Sequence, residues 1–129
     1  MQLAIRRFDE PDERREFPLG SFELVTLDGM TLGRASYEPG WKWSEHVGAA
    51  LGTALCDVAH VGIVVSGRAA VRMADGTEFV MEPGDLFEIP GGHDSWVVGD
   101  EPYVSLHLQG ATTYAATEGE RPAEPRRDL

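Results

Sequence analysis

Four histidines, His46, His60, His93 and His107, and one cysteine, Cys56, are the side chains of this 129-residue chain best suited to holding a metal. Imidazole is the commonest protein ligand for zinc, iron, nickel and copper, and a thiolate adds a soft donor. Several such groups at one place would hold a divalent cation and leave room for water or substrate. The cation would then act as a Lewis acid or water activator. Trp41, Trp43 and Trp96 flank the histidine segments. Trp41 and Trp43 alternate about Lys42, so in an extended chain they share one face, as packing or as an apolar wall for an organic molecule. Glu45 and Asp94 sit beside His46 and His93 and point to the opposite face in a strand. No glycine-rich phosphate loop and no nucleophile elbow is present.

The elements that position these groups belong to a small acidic protein. A mass of 14.1 kDa suits one domain, and 42% apolar residues with a mean hydropathy of −0.25 suit a globular one. Lys and Arg number 11 against 22 for Asp and Glu, a formal charge of −11 with a pI near 4.6. That balance excludes a nucleic-acid backbone binder and a protein of anionic membrane surfaces. No Lys or Arg lies between Met73 and Glu120, where Asp75, Glu78, Glu82, Asp85, Glu88, Asp94, Asp100 and Glu101 all fall. The stretch reads as a solvated acidic face, which repels anionic substrates unless a cation sits in the site. A single cysteine excludes an internal disulfide. No apolar run approaches the ~20 residues of a membrane span, and the first residues lack a signal peptide's apolar stretch, so the expected location is cytoplasmic.

Short β-prone runs separated by turn residues fill the middle of the chain. Leu32 to Tyr37, Gly62 to Ser66, Ala69 to Met73, Glu78 to Met81, Asp85 to Ile89, Ser95 to Val98 and Tyr103 to Leu108 alternate with Pro-Gly, Asp-Gly and Gly-Asp breaks. Such spacing predicts an all-β sandwich or barrel, and no sustained helical periodicity competes with it. Residues 1–23, with the charge-dense Arg6 to Glu16, read as a partly ordered arm, short helix or extended. Residues 24–110 read as the barrel and 111–129, rich in Pro and charge, as a flexible tail.

From Pro39 to Leu108 the chain resembles a cupin, and its small single-domain bacterial subgroup in particular. The first block of that family is Gly-x5-His-x-His-x3-4-Glu-x6-Gly. Gly40 places His46 at the first histidine, while counting back from Gly67 places His60 at the glutamate and Cys56 at the second histidine. Both anchors hold only with an insertion, read as a loop or short lid over Val47 to Leu55. The second block is Gly-x5-Pro-x-Gly-x2-His-x3-Asn. Gly84, Pro90 and Gly92 match it, but Ser95 and Gly99 stand at the histidine and asparagine. His93 lies two residues before Ser95, on the same strand face.

The resemblance implies a small β-barrel, a double-stranded β-helix of two packed antiparallel sheets, paired as a homodimer. It implies metal ligation by His60, His46 and His93, with Cys56 as a further donor, and a pocket with His107, Ser95, Trp41, Trp43 and Trp96. His60 in place of glutamate leaves the ligands neutral unless Cys56 contributes a thiolate. That favours zinc-type Lewis-acid chemistry over an iron oxygenase, with iron, manganese, nickel or copper as other ions. Two functions follow. One is a metal-dependent enzyme acting on a small organic molecule, with isomerase, lyase and dioxygenase undistinguished. The other is a binding or sensing module without turnover.

Overall fold

The computed structural model describes residues 1–115. Nine strands form among them: β1 (Glu13–Phe17), β2 (Gly20–Leu27), β3 (Met30–Tyr37), β4 (His60–Ser66), β5 (Arg68–Met73), β6 (Glu78–Met81), β7 (Leu86–Ile89), β8 (His93–Val98) and β9 (Tyr103–Gln109). Two one-turn helices, α1 (Trp43–His46) and α2 (Gly48–Leu51), lie between β3 and β4. The turn residues divide the strands as their chemistry requires. Gly67 joins β4 to β5 at φ +72°, and a side chain there would also collide with the backbone of Pro102.

The strands make two antiparallel sheets, one of six in the order β1-β2-β3-β9-β4-β7 and one of three in the order β6-β5-β8. Alternate residues of each sheet face a shared interior. Phe22, Ala35, Tyr37, Val64, Met81, Ile89, Val97 and Tyr103 from both sheets form one buried cluster. The acidic residues Asp75, Glu78, Glu82, Asp85 and Glu88 are exposed, on the outside.

The six-stranded sheet starts at Glu13, eleven residues before the expected boundary at 24. β1 is an edge strand with mostly exposed side chains, and its charges pair locally, Arg15 with Glu13 at 2.6 Å and Arg14 with Glu16 at 2.8 Å. A strand without a buried apolar row shows no alternation in its sequence. β2 departs from alternation for the opposite reason, because residues before β1 fold over its outer side. Glu23 is buried there and accepts from Arg34 Nε at 2.9 Å, while Arg34 reaches Asp9 at 2.9 Å. Of the segment 111–129, expected to be a flexible tail, residues 111–115 form a turn whose Ala111 and Tyr114 are buried; residues 116–129 lie outside the described residues.

Candidate metal centre

Three elements deliver three donors to one end of the interior. His60 opens β4, paired with Ile89 of β7, and points inward with Gly62 and Val64. His93 opens β8, paired with Met73 of β5. Cys56 comes from the loop after α2. Its N–H donates to the His93 carbonyl at 2.7 Å, and its own carbonyl accepts from Gly92 at 2.7 Å and from His93 at 3.2 Å. Gly91 makes the close approach possible, since a Cβ there would stand 2.5 Å from the Asp57 carbonyl oxygen.

One ligand atom from each of Cys56, His60 and His93 lies within 4.8 Å of the others, all three residues being buried. Cys56 Sγ is 3.6 Å from His60 Nε2. Zinc–sulfur and zinc–nitrogen bonds of about 2.3 and 2.0–2.1 Å at a tetrahedral angle set such donors about 3.6 Å apart, so the pair fits a shared ion without movement. His93 Nδ1 lies 2.7 Å from the Pro90 carbonyl. An oxygen acceptor there requires Nδ1–H, which leaves the Nε2 lone pair for a metal. His60 has no such support, for its buried Nδ1 finds no hydrogen-bond partner among the described residues.

Electrostatics favour the neutral, ligating form of the rings. Burial pushes the His60 pKa down to about 2, aided by His107 and His93. Burial likewise lowers His107 to about 3, with His93 adding to it. His93 is lowered by burial too, against the opposing pull of the Pro90 carbonyl and Asp94. A neutral imidazole needs no deprotonation before it binds a metal. These residues can hold a metal ion.

His107 stands behind the three donors, its ring 5.0 Å from that of His60. It faces Gly33 on one side and Gly62 on the other, and the rings of Phe22 and Phe87 fill the room that those residues leave. A cavity of about 30 Å³ adjoins the donors, lined by His60, His93, Ser95, His107 and three tyrosines, Tyr37, Tyr103 and Tyr114. Its wall is completed by apolar side chains such as Ala69 and Met81. Burial raises the Tyr103 hydroxyl to about 12 and lifts Tyr37 and Tyr114 well above the usual phenol value, so all three remain neutral donors.

Several expected site residues lie elsewhere. His46 ends α1, and its Nδ1 accepts the Lys42 N–H at 2.9 Å, so the ring closes the helix start instead of joining the cluster. The Gly-x5-His spacing from Gly40 coincides with the family block, but the chain coils there where the block requires a strand. Trp41 and Trp43 are therefore not neighbours on a strand face. Trp41 stacks on Tyr37 with centroids 3.7 Å apart, and Trp43 packs at Gly48, each in the core. Trp96 faces outward between Lys42 and Arg72, 5.6 and 5.2 Å from its ring. Asp94, also outward, accepts from Ser44 Oγ at 2.8 Å and ties α1 to β8. Tyr114 and the pair Tyr37 and Tyr103 escaped the sequence reading. The only signal was an aromatic residue, Tyr114, standing just past the last strand in a segment otherwise small and polar.

No family model and no curated protein matches the sequence. Solved structures do resemble the fold. A protein of unknown function from Rhizobium leguminosarum bv. viciae 3841 is 21% identical, with a TM-score of 0.59 over 83% of this chain and 95% of its own. A sugar phosphate isomerase of the cupin superfamily from Silicibacter pomeroyi is 20% identical, with a TM-score of 0.58 over 81% of this chain and 73% of its own. A cupin-2 domain from Rhodospirillum rubrum is 20% identical, with a TM-score of 0.52, 81% of this chain matching 65% of that one. With two antiparallel sheets closing on an inward histidine cluster, and with these neighbours, the chain has the fold of a small cupin.

Proposed function

We propose that the protein is a metal-dependent enzyme of cupin type that acts on a small organic molecule, with zinc as the first choice of ion. The convergence of Cys56, His60 and His93 carries the reading, together with the Pro90 carbonyl that aims His93. A zinc bound there would polarise a substrate oxygen or acidify a bound water. Cys56, losing its proton on binding, would lower the net charge of the ion, and a reducing compartment such as the cytoplasm would protect it from oxidation. His107 and the neutral tyrosines border the remaining space and offer hydrogen-bonding groups to a substrate.

A second reading, a binding module without turnover, has one observation in its favour. The cavity holds about 30 Å³ and no carboxylate lines it, whereas organic ligands occupy ~300–1,000 Å³. Metal analysis of protein purified without a histidine tag separates the two. The enzyme reading expects close to one equivalent of zinc or another transition metal. A content below about 0.2 equivalents of every such ion would leave the binding module.

The protein is further proposed to act as a homodimer. Met1, Leu3 and Ile5 are exposed at alternate positions, and Val65, Leu86 and Leu108 are exposed on the outer side of the six-stranded sheet. Such surface is ordinarily covered. Light scattering should give twice the 14.1 kDa chain mass, and a particle of 14.1 kDa would remove the dimer.

A further inference from the structure

After β9 the chain turns back at Gly110, where φ is +87° and a side chain would collide with the Ala59 carbonyl. Residues 111–115 then cross the barrel end as a strap outside both sheets. Arg15 of β1 ties it to the barrel. Arg15 Nη1 donates to the carbonyls of Tyr114 at 2.7 Å and Ala111 at 3.4 Å, and the Tyr114 N–H donates to Ala111 at 3.3 Å. Ala115 closes it at φ +53°, a left-handed conformation that costs a residue with a side chain about 1 kcal/mol or more.

The strap places one ring in the interior. The Tyr114 phenol packs against Phe22, His60 and His107 with centroids 4.7, 5.0 and 5.4 Å away. Its hydroxyl bonds to that of Tyr37, itself buried. Aromatic walls around a ring, with one polar partner waiting for its hydroxyl, are the features of a recognition site. The adjoining cavity shares four of these residues, Tyr37, His60, His107 and Tyr114, so removing the ring merges the two spaces. The void gained would be on the order of 100 Å³, room for one aromatic ring.

We infer that the barrel interior is a binding site for a small phenol, and that Tyr114 is its resident occupant, displaced with the strap when the ligand enters. The external ring takes the place on Phe22 and the two imidazoles, and its hydroxyl takes the partner at Tyr37. The small size of the closed cavity is then a property of the occupied site. This goes beyond the metal reading and does not depend on it.

The probe is 4-methylphenol, the tyrosine side chain itself, with toluene as the same shape lacking a hydroxyl. Binding is followed by thermal shift and by amide hydrogen exchange, on metal-free and zinc-loaded protein. In the native chain, 4-methylphenol should speed exchange in residues 111–115 while β4 and β9 stay protected. Arg15→Gln, which loosens the strap without entering the cavity, should lower the apparent Kd at least about fivefold, because a larger fraction of molecules is open. Tyr114→Gly should bind 4-methylphenol at least about tenfold more tightly than toluene, which leaves the Tyr37 hydroxyl unpaired. If Tyr114→Gly fails to fold, the native chain and Arg15→Gln carry the test. Unchanged exchange in residues 111–115 in both of them, up to the solubility of the phenol, overturns the inference. Phenol binding by a protein that takes up no metal would uphold it while removing the metal reading.

Discussion

His60 and Cys56 meet at one point, yet the structure holds them there by different means. His60 sits at the head of β4 between ladders to β7 and β9, and its backbone cannot move without disturbing the six-stranded sheet. Cys56 sits in a loop, fixed to the barrel by its isolated bridge to His93 and by the backbone bonds around it. A donor on a strand is placed by the fold as a whole. A donor on a loop is placed by a few contacts that one substitution can release.

The largest expected effect is at the strand donor. His60→Ala should cost at least about 100-fold in metal affinity, since even outer hydrogen-bond partners of ligands are worth ~10–100-fold. Circular dichroism should still show the barrel. Full metal retention by this variant, with loss on His107→Ala, would move the site to His107.

The loop donor should matter less and respond to a change that touches no ligand. Cys56→Ser should weaken zinc ~10–100-fold. Gly91→Ala, which drives a Cβ against the Asp57 carbonyl, should displace Cys56 and weaken zinc in the same direction. Equal zinc affinity in native protein and Gly91→Ala would show that the loop is held more firmly than its contacts imply.

The comparison extends to acid. Unfolded imidazole has a pKa near 6.5, and burial pushes His107 down to about 3 and His60 to about 2. Below pH 6.5 the unfolded chain therefore binds more protons. Stability is fully present above that value and falls as the pH drops, by about 1.4 kcal/mol per pH unit for each ring. In metal-free protein, stability from denaturant unfolding should be level from pH 7.5 to about 6.5 and show this slope below it, and His107→Phe should remove about one ring's share. An unchanged slope in that variant would mean that His107 is hydrated.

The smallest effect is reserved for the histidine outside the cluster. His46→Ala should leave metal affinity unchanged and cost about 1 kcal/mol of stability, the worth of its bond to the Lys42 N–H. Any loss of metal in this variant would return it to the site.

How far the sequence revealed this follows from what its residues encode locally. All seven strands between Leu32 and Leu108 were legible, because each ends at a turn whose glycine or proline announces it. Counting back from Gly67 placed Cys56 and His60, since β4 runs unbroken between anchor and ligand. Counting forward from Gly40 gave His46, since a coincident spacing does not reveal that the chain coils after Pro39-Gly40. β1 and β2 stayed hidden for reasons of surface. β1 buries no apolar row, and β2 is covered on both sides by contacts distant in sequence. Tyr114 was hidden because partners such as Phe22, Tyr37 and His60 lie far from it in sequence, as does Arg15, 99 residues away.

The two glycines that flank His107 give the barrel a practical handle. Gly33 and Gly62 leave the space into which Phe22 and Phe87 lean; a methyl group at Gly33 would meet the Phe22 ring, and one at Gly62 would meet the Leu106 carbonyl of β9 before the Phe87 ring, which lines the cavity. The bore of the barrel is thus set in part by Phe87, a position that carries no donor atom. An engineer could widen it by replacing Phe87 with a smaller residue, a change that touches none of Cys56, His60 and His93. Room for the proposed guest depends in part on a residue outside the donors of the proposed metal site.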